Sequence, residues 1–143
     1  MAEYDSNIPT AFAGMKADSR FDNVESFAAS ETIEFGRGVM ANSTDPDHTV
    51  DVADSASGVF RGIALHVHNE AKKYEATDTV SVLRKGMAWV DTSEAVDIDD
   101  AAYVDVDQDG KFCDTSTDNL ATGGAFRSTN AAAGLALVEI NLP

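Results

Sequence analysis

Ala102-Tyr-Val-Asp-Val-Asp-Gln-Asp-Gly-Lys-Phe-Cys113 decides how this chain folds. A strand enters an Asp109-Gly110 turn and leaves through Lys111-Phe112. Asp-Gly between alternating apolar residues is a strong short-range hairpin signal, because glycine accepts the positive φ that tight hairpin turns demand. A second strand closes the chain, Gly134-Leu-Ala-Leu-Val-Glu-Ile-Asn-Leu142, after a small-residue turn at Ala131-Ala-Ala133. Neither element carries His, Ser/His pairs or other catalytic groups around its turns, which points to a scaffold used for its surface.

Working outward, residues 32–40, 48–52, 58–68, 79–90, 102–106, 111–113, 124–127 and 135–142 read as strands. Between them lie Asn42-Ser-Thr-Asp-Pro-Asp47, Asp54-Ser-Ala-Ser-Gly58, Asp91-Thr-Ser-Glu94 and Asp114-Thr-Ser-Thr-Asp118, all turn-forming chemistry. Thr79-Val-Ser-Val-Leu-Arg84 alternates apolar with polar, the mark of a half-buried strand, and Gly86 then suggests a bulge or bend. Many short strands at regular spacing with no long helical period predict an all-β fold, a small β-barrel or jelly-roll-like sandwich. Residues 1–30 differ in pattern. They hold Pro9 and scattered aromatics (Tyr4, Phe12, Phe21, Phe27), with one short helical turn suggested by the three-residue spacing of Phe21, Val24 and Phe27 and by Asp22 with Glu25. The division expected is an extended N-terminal arm, 1–30, on a β-domain, 31–143. An arm this rich in aromatics is too apolar for a solvated tail, and it should pack on its own domain or on a partner.

At 143 residues the chain is expected to be one domain, burying roughly 68–70% of the surface its unfolded form exposes. Cys113 is the only cysteine, so no intrachain disulfide exists. The first residues lack a basic segment followed by an apolar one, so no signal peptide is expected, and no apolar run approaches the roughly 18 residues of a membrane span. Twenty-five acidic residues against 10 Lys and Arg leave a net charge of −15. That field repels a phosphate backbone, so direct nucleic-acid binding is not expected, and the basic residues do not cluster to offset it. The same acidity serves solubility, or an outward-facing layer that avoids adhering to DNA.

Two constellations resemble metal sites. Asp105-x-Asp107-x-Asp109-Gly110 matches the first half of a calcium loop, but position twelve, where a bidentate Glu closes the shell, is Ser116. Carboxylates at spacing two also line one face of an acidic hairpin edge with no ion at all. His66-Val-His68 with Glu70 would point one way from a strand and suit a divalent metal. The pair resembles the opening of the cupin metal motif, yet Glu70 comes too early and Glu75 too late for it, and the one other histidine, His48, lies upstream. Two histidines on an exposed strand edge explain the pattern equally well, and no metal or other cofactor is expected. No nucleophile elbow, phosphate loop or dinucleotide fingerprint is present, and Cys113 reads as a small core hydrophobe. Trp89 reads as a core or inter-subunit aromatic more readily than as a ligand platform.

The order of segments resembles the capsid cement (head decoration) proteins of tailed bacteriophages. The resemblance rests on Ala11-Phe-Ala-Gly-Met-Lys-Ala-Asp18, Ile33-Glu-Phe-Gly-Arg-Gly-Val39, Phe60-Arg-Gly-Ile-Ala-Leu65, Asp78-Thr-Val-Ser-Val-Leu-Arg-Lys-Gly-Met-Ala-Trp-Val90, Ala102-Tyr-Val-Asp105 with Gly110-Lys-Phe112, and Ala132-Ala-Gly-Leu-Ala-Leu-Val-Glu139. Each piece is ordinary strand vocabulary, whereas the ordered set is specific and runs from about residue 9 to the end. It implies a small β-barrel or jelly-roll-like domain that self-associates, as a dimer or trimer, and clamps neighbouring major capsid protein subunits on the outside of the head. It implies no catalytic residues, manufacture in the host cytoplasm, and residence on the outer surface of the virion. The arm then supplies the capsid-contact candidates, Tyr4, Phe12, Met15, Phe21 and Phe27. Two other readings stay open, a metal-dependent cupin-like jelly-roll enzyme and a tail or fibre accessory domain that binds glycan through Trp89 and Tyr103.

Overall fold

Eleven strands and no helix make up the described part of the chain. The computed structural model describes residues 12–68 and 73–142, and of residues 18–21 only the backbone. The strands are β1 (Lys16–Ala29), β2 (Ile33–Glu34), β3 (Gly38–Ala41), β4 (Thr49–Val52), β5 (Phe60–Ala64), β6 (Lys73–Tyr74), β7 (Thr79–Asp91), β8 (Ala101–Asp105), β9 (Lys111–Cys113), β10 (Leu120–Phe126) and β11 (Leu135–Asn141). Every segment read as a strand from the sequence overlaps one, although 124–127 meets only the end of β10 and β6 was not foreseen, and 32–40 overlaps two because Gly36, at φ 77°, turns the chain between β2 and β3. The short helical turn expected around Phe21–Phe27 is corrected: those residues are extended and belong to β1. A three-residue spacing over one turn carries little helical preference, since a single turn is too short to offset nucleation. Pairing along β7 supplies the hydrogen bonds instead.

β7 organises the molecule. β1 runs antiparallel along one edge, from Ala28 opposite Thr79 to Lys16 opposite Ala88. The other edge is shared in succession by β5, which pairs at Val82 and Leu83, and β11, which pairs from Lys85 to Asp91. β5 continues to β3, β3 to β4, and β4 runs parallel to the end of β1 at Ala28 and Ala29. The ring β1-β4-β3-β5-β7 is therefore closed, a small barrel whose strands leave few free edges. From β11 the sheet goes on through β10 and β8 to β9. A bridge from Phe112 to Thr92, just past β7, brings that arm back against the barrel. The barrel thus includes residues 16–29 of the stretch read from the sequence as an arm.

Alternation on β5 and β7 sends side chains into two cores. Val80, Val82 and Ala64 join Val39, Val50, Val52, Ile33 and Tyr74 inside the barrel. Leu83, Ala88, Val90, Phe60 and Ile63 face the other way, against Val104, Phe112, Phe126, Val138 and Ile140 of the extension. Because strand side chains alternate between faces, one strand can serve two cores only if both sides are apolar. Thr79–Asp91 meets that condition by shifting from the Val-Ser-Val alternation to Leu83 and then Ala88 and Val90.

Two glycines permit the close approaches. Gly62 sits at φ 144°, and a Cβ there would strike the Leu83 carbonyl oxygen of β7. Gly86, at φ 129°, faces a register break in which β1 advances from Asp18 to Asn23 while β7 advances only from Met87 to Lys85. The bend suggested at Gly86 is real, and the extra residues lie in β1. The Asp109-Gly110 hairpin also forms, with Asp105 opposite Lys111, so five residues make the connection. Asp109 (φ 55°) and Gly110 (φ 78°) both adopt the left-handed conformation there.

Candidate functional site

Gly14 and Gly36 pack backbone against backbone, and the concavity beside them is the candidate site. Gly14 (φ 83°) donates its N–H to the Trp89 carbonyl at 2.7 Å and accepts from the His66 N–H at 2.9 Å. Gly36 donates to the Ala64 carbonyl at 2.8 Å. A Cβ on Gly14 would lie 2.6 Å from the His66 nitrogen, and one on Gly36 would lie 2.6 Å from the Ala13 Cβ. Only glycine allows the 12–15 turn to reach the start of β3 and the exit of β5. The result is a cavity of about 350 Å³ lined by Phe12, Phe35, His66, His68, Glu34 and Asp91, with Ala13 and Arg37.

Aromatic contacts shape one wall. The His66 ring stands edge-on to Phe12 (centroids 4.5 Å apart, 63°) and to Phe35 (4.9 Å, 65°), and Phe35 meets the buried Tyr74 ring at 5.3 Å. The rest of the lining is ionic. Arg37 is buried, and its guanidinium reaches Glu34 Oε2 at 3.1 Å through Nη2 and Asp91 Oδ2 at 3.3 Å through Nε. Its Nη1 donates to the Asp109 carbonyl at 2.9 Å and carboxylate at 3.1 Å. All three nitrogens are engaged, so four acceptor groups satisfy one cation that would otherwise be costly to bury. Arg37 was not singled out from the sequence. Beyond the neighbouring Glu34, its partners Asp91 and Asp109 lie 54 and 72 residues away, and only the approach of β7 and the β8–β9 hairpin to β3 brings them together.

The residues singled out from the sequence fall in different places. Phe12, 38% exposed, lines the cavity, and Met15 accepts the Trp89 N–H beside it at 2.9 Å. Phe27 is half-buried against the barrel core. Tyr4 and the Phe21 side chain lie outside the described residues. Asp105 accepts from Ser93 Oγ at 2.9 Å and from the Asp107 N–H at 3.2 Å, while Asp109 holds Arg37. The first and last carboxylates of the calcium-like series thus serve the hairpin and its docking. His66 and His68 both line the cavity, His48 is far along the chain with Asp45 at 3.2 Å, and Glu70 lies outside the described residues. Among the described residues, no group of three or more His, Cys, Asp or Glu is placed to hold a metal ion.

Outside the cavity, burial pushes the Cys113 thiol up to about 11, and Cys113 packs in the core, accepting from Asn119 Nδ2 at 3.3 Å. Such a thiol is a poor nucleophile. The Asp114 carboxyl is pushed up to about 6, first by burial and then by hydrogen bonding to the Asp100 and Glu94 carboxylates. Trp89 and Tyr103 are half-buried within β7 and β8.

Residues 2–141 match the phage cement family, described as structural cement protein (E217 gp24/Pam3 gp6). No curated protein matches the chain significantly. Among solved structures, a chain in the capsid of Myoviridae phage XM1 shares 25% identity at a TM-score of 0.76, over 99% of this chain and 98% of that one. The N base of head fiber gp8.5 of bacteriophage phi29 shares the fold, at 13% identity and a TM-score of 0.59, over 84% of this chain and 94% of that one. With the match running through both cores and the cavity between residues 2 and 141, this chain belongs to the phage structural cement protein family.

Proposed function

We propose that this virion structural protein binds the outer surface of the phage head across neighbouring major capsid protein subunits and holds the shell against the pressure of packaged DNA. The observation that carries this reading is the family match over nearly the whole chain, and the likeness to a capsid chain of phage XM1 agrees with it. Charge supports the outside in preference to the DNA-facing inside, since a net charge of −15 is repelled by a dense polyanion. Contacts that exist only in the assembled lattice shift the shell toward the assembled state by mass action. Phe12 and Met15, presented beside the cavity, and Tyr4, Phe21 and Phe27 are the contact candidates. A bridging protein most simply presents one patch several times about a rotation axis, so a dimer or trimer is the expected form. Nothing in this role calls for catalysis, a membrane or nucleic acid.

Co-sedimentation with undecorated heads tests the binding, and the temperature at which DNA-filled heads rupture tests the stabilisation. Saturable binding with a raised rupture temperature is expected. A chain that stays in the supernatant at all concentrations overturns the proposal. Sedimentation velocity in solution and on released decoration layers tests the dimer or trimer.

A further inference from the structure

The cavity beside Gly14 has an unbalanced lining. Glu34 and Asp91 bring two carboxylates to it, and the one guanidinium, Arg37, is already engaged at every nitrogen. An anionic ligand would find at most one uncommitted N–H on Arg37, since four of its five are taken, and two carboxylates repelling it. A cation finds the reverse. Arg37 meets Oε2 of Glu34 and Oδ2 of Asp91, and each carboxylate carries a second oxygen with acceptor sites. The side chains of Glu34 and Asp91 are 50% and 33% exposed, so both are reachable from outside. The rings of Phe12, Phe35 and His66 line the same cavity, and aromatic faces attract cations.

We propose that this cavity receives the guanidinium of an arginine side chain presented by an extended segment of the capsid protein. The source of that segment rests on the cement reading above, whereas the recognition of guanidinium rests on the cavity alone. Arginine suits the lining better than lysine. Its planar fork addresses two carboxylates at once and its flat face lies against rings, while an ammonium is a compact, strongly hydrated point charge. The volume, about 350 Å³, is at the small end of ligand sites and accommodates one long side chain with part of its backbone.

Titration of the full chain with N-acetyl-arginine amide, followed by NMR at the Gly14 and His66 amides and the Phe12 and Phe35 rings, tests the recognition. The neutral isostere N-acetyl-citrulline amide is the control. Saturable shifts confined to these residues are expected, with citrulline at least tenfold weaker. No saturable shift, or equal response to citrulline, overturns the proposal. Shifts at His66 that follow protein concentration alone would place a second copy of this chain in the cavity and overturn it as well. The capsid source is tested with Glu34→Gln and Phe12→Ala, each first shown to melt as the parent does. Both should bind undecorated heads at least tenfold more weakly, and parent-like binding overturns the assignment. If the parent itself fails to bind heads, the cement reading falls and the capsid source with it, while the arginine titration still judges the cavity.

Discussion

Arg37 joins three elements through one side chain: β2 by Glu34, the end of β7 by Asp91 and the β8–β9 loop by Asp109. Replacing it with Met keeps the apolar stem but strands three carboxylates near one another. A fully buried ion pair broken in this way costs ~3–5 kcal/mol; with partners 33–63% exposed, about 2–3 kcal/mol is expected for Arg37→Met. Chemical denaturation measures it, and a loss below about 1 kcal/mol would show that solvent already screens the cluster. Gly62 is a sharper case. Its φ of 144° and its contact with the Leu83 carbonyl leave no room for a side chain. Gly62→Ala should therefore cost on the order of 3 kcal/mol or more, by backbone strain and overpacking together. A parent-like melting curve for that variant would mean that β5 and β7 can separate at no cost.

Among the elements, β1 and β7 carry the barrel. β1 is hydrogen-bonded to β7 along most of its length and to β4 only at Ala28 and Ala29. Without β1, the edges of β7 and β4 open, and Val80, Val82 and Val50, each fully buried, lose a covering strand. A chain beginning at residue 12 retains the whole closed ring and should give a cooperative melt like the parent. A chain beginning at residue 31 should lose that cooperative transition, seen by circular dichroism and near-UV signals. Cooperative folding of the shorter chain would show that the β11 side of the sheet stabilises an open barrel. Comparing head binding by the full chain and the chain from residue 12 then isolates what the first eleven residues contribute to capsid contact.

For the molecule as a whole, charge and proton uptake govern stability. Asp114 holds its proton more tightly in the folded protein, up to about pH 6, than an ordinary carboxyl does. Its contribution to stability is complete below the ordinary Asp range and is lost as pH rises through 6. The Glu31 carboxyl is raised too, by burial first and then by Asp51 and Asp54, and acts in the same sense. Acidification also reduces the repulsion within a chain of net charge −15. The melting temperature should therefore rise from pH 7 to pH 5. Asp114→Asn should raise it at pH 7 and flatten that rise, which separates the single group from the general charge effect. A variant with the parent's full pH dependence would remove Asp114 as a cause.

The all-β class, most strand positions from residue 32 onward and the Asp109-Gly110 hairpin were legible in the sequence, because period-two patterning and turn chemistry are local properties that neighbours in the chain express directly. Phe12 and His66 were legible as unusual residues, though not as partners. The role of residues 16–29 was hidden, since a polar, bulged strand such as Lys16-Ala-Asp-Ser-Arg-Phe-Asp-Asn23 has no clean alternation and acquires its extended form from pairing with β7. The cavity was hidden for the same reason. Gly14, Glu34, Arg37, His66, Asp91 and Asp109 span nearly a hundred residues of chain, and no local rule specifies their distances. Barrel closure decides those distances, because hydrogen-bond register, and not sequence proximity, determines which side chains meet.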